Sequence, residues 1–480
     1  MKYLIKFITF CLLLILPSFF IIVMERPALA SFTLDDEIKI GKEFYEKLSR
    51  HNLLIKDERV NDYITRLGNS ILARSGNVLF TFRFSVIRSS AINAFATPGG
   101  YVYVNRGLIN LCENESELAG VLAHEIAHVN SRHIAQQIEK SQKINMASLA
   151  AVLAGVFLGG GGVGTEAALG LTMATSTALS LKYSRENEEE ADRLGMAYLV
   201  STGYDGKGML SFLKTMKNYE FYSSSLPSYF MTHPGTDERI GYIDSLLQSR
   251  YRSRGSQDIL GGLKRVQTIL ALEDKNQDNA LKYFKDRLNK NPDDVDALYG
   301  LAATQAKLGH TAESYSNFSR ALALSPDDVD VLRDLAINLF NEGKTSDALT
   351  LLRRAHSINE NDDGVILYLG RAYEQAGNYP MALVYYRRYL EKNPSDVNIL
   401  YNIAMAYGKT DNRGESHYYF ALFFKNKNKI ESALFHLREA LKFVPADSDR
   451  ARDIRKELGE LDVDGRASRT PRNDRFPGKR

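Results

Sequence analysis

The sequence predicts an α+β fold, mostly helical with one small sheet, followed by an all-α solenoid of helical repeats. Three observations carry this. His124-Glu125-Ile126-Ala127-His128 lies in an apolar stretch, and a second helical pattern, Arg185 to Leu199, follows about sixty residues on. Tyr101-Val102-Tyr103-Val104 alternates after Pro98-Gly99-Gly100, which reads as a turn and a strand. From about residue 256 the chain is helical and repeats with a 34-residue period. At 480 residues it exceeds a single core, and 44% hydrophobic with 25% charged residues is ordinary globular composition. The net charge of +3 comes with no basic domain or stripe, so no nucleic-acid partner is expected.

Taken in order, residues 1–30 open with Lys2 and Lys6, continue as an apolar run from Phe7 to Val23, and end in Ala28-Leu29-Ala30. That pattern predicts a cleaved export signal. The competing reading is a retained anchor, because seventeen apolar residues just suffice to span a bilayer. Cleavage removes Cys11 and leaves Cys112 as the only thiol, which excludes an intrachain disulfide. An exported chain held together by packing and metal fits the bacterial periplasm. Three further stretches are expected: a mixed domain at 31–255, a repeat domain at 256–445, and a disordered basic tail at 446–480, rich in Arg, Pro, Gly and Asp at its end. Ala147–Leu158, followed by Gly159–Gly162, is too short and interrupted for a transmembrane helix and is expected to form a mobile lid or membrane-contacting loop.

Chemistry concentrates around the HExxH pattern. Four residues turn a helix through about 400°, so His124 and His128 stand one above the other. Two imidazoles so placed can hold one Zn²⁺, with Glu125 beside it as general base for a water. A catalytic site needs a third protein ligand. His133 is nine residues beyond His124; on a continuous helix that is about 900°, the opposite face, so it is not expected to ligate. Glu188 is the better candidate. Glu188 and Asp192 share one helix face with Ala191 and Gly195, and the small residues permit close packing on the HExxH helix. Glu188 would ligate, while Asp192 would accept a hydrogen bond from the far nitrogen of a ligand histidine. Arg185, Glu189 and Arg193 form an i, i+4 ladder expected to face solvent.

The repeat signature is Asn291-Pro292-Asp293-Asp294, then Ser325-Pro326-Asp327-Asp328, then Asn393-Pro394-Ser395-Asp396, with Asn359-Glu360-Asn361-Asp362 in phase without its proline. Ala302, Ala336 and Gly370 keep the same phase, as do Gly309, Gly343 and Gly377, and Ser314, Ala348 and Ala382. This resembles the tetratricopeptide repeat, whose small residues let paired helices cross closely. Residues 256–292 read as a degenerate leading repeat. After Pro394 the period is expected to break, leaving Glu415–Phe443 as an atypical cap.

HEIAH and SRENEEEAD, preceded by Asn93-Ala94-Phe95-Ala96-Thr97-Pro98-Gly99-Gly100, resemble the CAAX prenyl protease and heat-shock protease X group of gluzincin metallopeptidases over about residues 36–245. The resemblance implies zinc ligands His124, His128 and Glu188, with Glu125 as base and Asp192 supporting a ligand. Thr232 to Ile240 is similar to the group's THP…ER segment, which puts His233 near the metal and Arg239 where it would steady an oxyanion. We expect His233 to occupy the open zinc position and hold the site shut. The strand ahead of the zinc helix would hold substrate in extended form through main-chain bonds. Together with the export signal and repeats, the resemblance implies a zinc-dependent endopeptidase of the bacterial cell envelope, in the periplasm and peripheral to the outer membrane. Its implied substrates are unfolded or misassembled outer-membrane proteins, with the repeats recruiting them or the outer-membrane β-barrel assembly machinery. The alternative is a chaperone or adaptor with structural zinc; an intact Glu125 argues against it, since a closed structural site has no use for a base.

Overall fold

The computed structural model describes residues 32–140, 149–150, 153, 155, 157, 183–222, 228–252, 255–274 and 276–467. The export-signal reading of 1–30, the glycine run 159–162 and the tail beyond 467 lie outside these residues. The chain divides into two compact units, Met1–Leu270 and Ala271–Arg480.

The first unit starts with two amphipathic helices whose caps are written in the sequence. α1 (Leu34–Arg50) opens on a capping box between Thr33 and Asp36, and α2 (Glu58–Leu72) on the Asp57 side chain. Three strands follow: β1 (Arg83–Ile87), β2 (Ala94–Thr97) and β3 (Tyr101–Asn105), in the order β1-β3-β2. β3 runs parallel to β1 and antiparallel to β2, so the alternating segment is the central strand and β2 an edge. The β2–β3 turn needs glycine twice: Gly99 and Gly100 have φ of 81° and 90°.

After the short α3 (Arg106–Leu111), α4 (Glu115–Asn130) runs through the middle of the unit, buried from Glu115 to Val129. Its apolar residues point all round because other elements cover every side. Glycines bring two of those elements close. A Cβ on Gly195 of α6 (Arg185–Ser201) would lie 3.0 Å from the His124 backbone, and one on Gly120 would lie 3.1 Å from the backbone of Met209 in α7 (Lys207–Tyr222). Between α4 and α6 comes α5 (His133–Lys140); beyond α7 lie α8 (Ser228–Thr232) and α9 (Thr236–Ser249).

The first unit extends past residue 255. At the start of α4 the buried Glu115 carboxylate accepts hydrogen bonds from Tyr63 (2.9 Å), Tyr204 (2.7 Å) and the amides of Ile259 (2.9 Å) and Leu260 (2.7 Å). Gln267 donates to the Ile109 and Cys112 carbonyls, and Leu263, Val266, Ile269 and Leu270 join the same core. These bonds draw residues 256–270, read from the sequence as the start of a degenerate repeat, into the first unit.

The second unit is a run of helix pairs. α10 (Leu263–Leu272) closes the first unit; α11 (Gln277–Lys290) opens the second and is followed by α12 (Val295–Lys307), α13 (Thr311–Leu324), α14 (Val329–Asn341), α15 (Thr345–Ile358), α16 (Asp363–Gln375), α17 (Tyr379–Lys392), α18 (Val397–Lys409) and α19 (Arg413–Asn426). The recurring Asp has a local cause: Asp294, Asp328, Asp362 and Asp396 are the N-caps of α12, α14, α16 and α18. Gly309, Gly343 and Gly377 end the first helix of three pairs at φ of 77°, 79° and 75°. Where two helices cross, the Ser314 hydroxyl donates to the Ala302 carbonyl and that of Ser416 to Ala404, each at 2.8 Å.

Two expectations about the end of the chain are corrected. The period does not break after Pro394: α20 (Ile430–Ala440) starts close to the next repeat position, with the proline lost and Lys429 standing at the N-cap in place of the aspartate. The expected tail at 446–480 is also wrong for its first part, because α21 (Asp449–Ala467) is helical and buries Ala451, Ile454 and Leu461. Arg450 clamps it with hydrogen bonds of 2.6 and 2.9 Å to Glu415 and lies 4.0 Å over the Tyr418 ring. Its many charges hid the narrow apolar stripe. Among the described residues no helix is long and apolar enough to cross a membrane.

Replacing Glu115 by Ala leaves two buried hydroxyls and two amides without their acceptor. At about 1–3 kcal/mol for each group left unpaired, we expect a loss of at least ~3 kcal/mol, measurable as a lower urea midpoint at unchanged slope.

Candidate metal centre

Three segments meet beside the middle of α4. That helix presents His124, Glu125 and His128 on adjoining turns. α6 presents Glu188 and Asp192 one turn apart, its start held by a capping box between Ser184 and Asn187. His233 follows α8, its amide bonded to the Tyr229 carbonyl at 2.8 Å, and Gly235 at φ 84° turns the chain so that Arg239 on α9 returns to the same place.

His124 Nε2 lies 2.9 Å from His128 Nε2 and 3.4 Å from Glu188 Oε2. Glu188 Oε1 is 3.4 Å from His128 Nε2, and His233 Nδ1 is 3.1 Å from Glu188 Oε1 and 3.3 Å from His124 Nε2. One ligand atom from each of these four buried residues falls within 4.8 Å of all the others. Four lone-pair donors converging in a sealed space repel one another unless protons or a cation stand between them. An N₃O set of imidazoles and carboxylate suits a divalent ion of the zinc type, so the residues fit a metal. Glu125 stands beside them, fully buried, its Oε1 3.4 Å from His233 Nε2; neither oxygen has a hydrogen-bond partner among the described residues.

Opposite charges hold the cluster from behind. Asp192 Oδ1 meets His124 Nδ1 at 2.9 Å. Arg239 donates to both Asp192 oxygens at 2.8 Å, and its Nη1 is 2.7 Å from Glu188 Oε2. The sequence reading put Arg239 beside a developing oxyanion, whereas here its guanidinium is engaged by Asp192 and Glu188. Burial opposes charge on Glu188, yet His233, Arg239 and hydrogen bonds from His124 and His128 hold its carboxyl well below the usual range. For Asp192, burial is likewise outweighed by Arg239 and His124. Burial and the Arg239 charge work against a proton on His124, but Asp192 and Glu188 prevail and lift it to about 9. Burial, with the neighbouring His124, pushes His128 well down. Burial pushes the Glu125 carboxyl up, the direction a general base requires.

Sequence reasoning missed three residues. Tyr229 stacks on His233 with ring centroids 4.5 Å apart, and Tyr183 on His128 at 3.7 Å; isolated tyrosines carry no spacing signal. His133, expected on the far side of the helix, is fully buried with its Nδ1 2.8 Å from His128 Nδ1. The helix ends first: Arg132 is left-handed at φ 53°, and the chain folds back.

Gly195 sets the distance between the ligand-bearing helices. Gly195→Ala is expected to lower the bound metal per chain, read by elemental analysis, and to depress the melting temperature, because the new methyl meets backbone and not a yielding side chain.

Comparison with known proteins agrees with this arrangement. Residues 58–247 match the profile of Peptidase family M48, and residues 297–419 that of the tetratricopeptide repeat. The chain is 31% identical over 278 residues to the beta-barrel assembly-enhancing protease of Yersinia pestis, covering 57% of each chain. To the protein of that name from Escherichia coli K12 it is 32% identical over 218 residues, 45% of each. It thus spans about half the length of the curated relatives it matches. The crystal structure of MamA is similar to 32% of this chain and 90% of its own, with 22% identity and a TM-score of 0.30. The buried His/His/Glu cluster on α4 and α6 and the helix pairs beyond it are those of a chain that carries a peptidase family M48 domain followed by tetratricopeptide repeats.

Proposed function

We propose that the chain is a zinc-dependent endopeptidase of the bacterial cell envelope, exported to the periplasm by residues 1–30. The observation that carries this is a buried three-nitrogen, one-carboxylate cluster with the Glu125 carboxylate, without a hydrogen bond among the described residues, at its side. His124, His128 and Glu188 would hold the ion, with Asp192 fixing the His124 ring from its far nitrogen. Zinc at this place supplies a Lewis acid that polarises a scissile carbonyl and acidifies a water.

The chain's own residues do the rest. Glu125, with its raised pKa, takes the proton of the attacking water and passes it to the leaving amine. Arg239 keeps Glu188 and Asp192 charged. The strand expected to hold substrate, β3, is paired on both sides, so β2 at the sheet edge would offer main-chain groups to an extended substrate in its place. His233 supplies a fourth donor where a catalytic site needs an open position, so it holds the resting site shut until displaced. The repeats would recruit unfolded or misassembled outer-membrane proteins, or the machinery that assembles them, with the protein peripheral to the outer membrane.

Two experiments test this on purified residues 31–480. Wild type and Glu125→Gln should each bind one zinc, while cleavage of an unfolded outer-membrane protein falls by about 10²–10⁴-fold in the variant, as for loss of a general base. A wild type without zinc would reject the reading. His233→Ala should keep the metal and raise the rate of cleavage of that substrate; an unchanged rate would end the gating role.

A further inference from the structure

We infer that His133 is a positioning residue for the metal centre, fixing the ring of His128 through a hydrogen bond between the two Nδ1 atoms and relaying that hold to Glu190. The inference rests on the metal-centre reading above and adds a residue to it.

The proton positions follow from geometry. His128 turns its Nε2 to the ligand cluster, 2.9 Å from His124 Nε2 and 3.4 Å from Glu188 Oε1. A ligating nitrogen presents a lone pair, so the hydrogen of the neutral ring sits on Nδ1. That nitrogen is 2.8 Å from His133 Nδ1, which therefore accepts. His133 then carries its own hydrogen on Nε2, which faces Glu190 Oε2 at 3.4 Å. The other Glu190 oxygen takes the Ser131 hydroxyl at 3.0 Å. Every group in the line has one role, and no second arrangement leaves the Nε2 lone pair of His128 free.

The backbone is built to deliver this contact. α4 stops at Asn130, and Arg132 adopts φ 53°, a conformation that side chains other than Gly, Asn and Asp seldom take. Its side chain is clamped in turn, Nε to the buried Glu37 at 2.6 Å and Nη2 to the Phe32 carbonyl at 3.1 Å. The reversal swings His133 from the far side of the helix axis back against His128. The two ligand histidines are thus held by different partners: His124 by the carboxylate of Asp192, and His128 by an imidazole backed by the half-exposed Glu190. Outer partners of this kind orient the ring and set its tautomer, and their loss weakens metal binding by about 10–100-fold.

The test uses residues 31–480 with zinc alone as probe, measuring the dissociation constant against a chelator for wild type, His133→Phe and Glu190→Gln. His133→Phe fills the ring's space without an acceptor. Its dissociation constant should rise about 10–100-fold with apo-protein melting retained, and Glu190→Gln should show a smaller rise. In the zinc-loaded wild type, ¹H–¹⁵N correlation should show a slowly exchanging proton on His128 Nδ1, lost in His133→Phe; a merely space-filling His133 would not produce it. Wild-type affinity in His133→Phe, or absence of that proton from the loaded wild type, overturns the inference while the metal centre stands. If His133→Phe does not fold, the wild-type proton decides alone. No zinc in the wild type rejects the metal centre itself, and the inference with it.

Discussion

The metal centre depends on two helices lying closer than side chains ordinarily allow. Gly195 on α6 faces the backbone of His124 on α4 at a distance where any Cβ would press on main-chain atoms. That contact brings the Glu188 and Asp192 carboxylates into the same layer as two histidines, with Ala191 beside them buried and small. A helix is stiff over one turn, so once the glycine crossing is made, Glu188 and Asp192 reach opposite nitrogens of the His124 ring without further adjustment. Separation of the helices by even a methyl group would open the cluster at its narrowest point.

Such packing concentrates charge in a place from which water is excluded. Glu125, Glu188, Asp192 and Arg239 are all buried within reach of three histidines. Burying one of these alone would be strongly unfavourable, and burying them together is tolerated because each is answered by a partner. Arg239 answers two carboxylates at once, Asp192 answers His124, and His133 answers His128. Glu125 is the exception, with neither oxygen hydrogen-bonded among the described residues. A group left unsatisfied in an otherwise compensated cluster is where chemistry is expected, since its free energy is recovered only when a proton or substrate arrives.

The second unit solves a different problem with local rules. Each helix pair needs a start, a turn and a close crossing, and the repeat supplies an aspartate cap, a left-handed glycine and a small buried residue at fixed spacing. These devices act over a few residues, so they survive where the proline is missing before Asp362. Asp411 shows the tolerance of the scheme, taking φ 55° where the preceding repeats have glycine.

By itself the sequence determined whatever is local. The i, i+4 spacing placed His124 over His128 and Glu188 over Asp192, and the alternation of Tyr101 to Val104 marked a strand, because helix and strand periods follow from backbone geometry alone; that this strand is central, and not the edge expected, was decided by its two partners. The 34-residue phase did the same for the repeats. Tertiary structure decided what depends on where the chain reverses and what then packs on it. His133 was placed on the wrong side because a single left-handed residue, held by Arg132 to Glu37 from the first helix, cancelled the helical rotation on which the estimate relied. Residues 256–270 joined the first core because a carboxylate at position 115 reaches two amides more than 140 residues away. The last helix formed because its sparse apolar stripe met Ala433, Leu437 and Ala440. Hydrogen bonds and contacts between residues far apart in the chain leave no periodicity behind, and no window of sequence contains both partners.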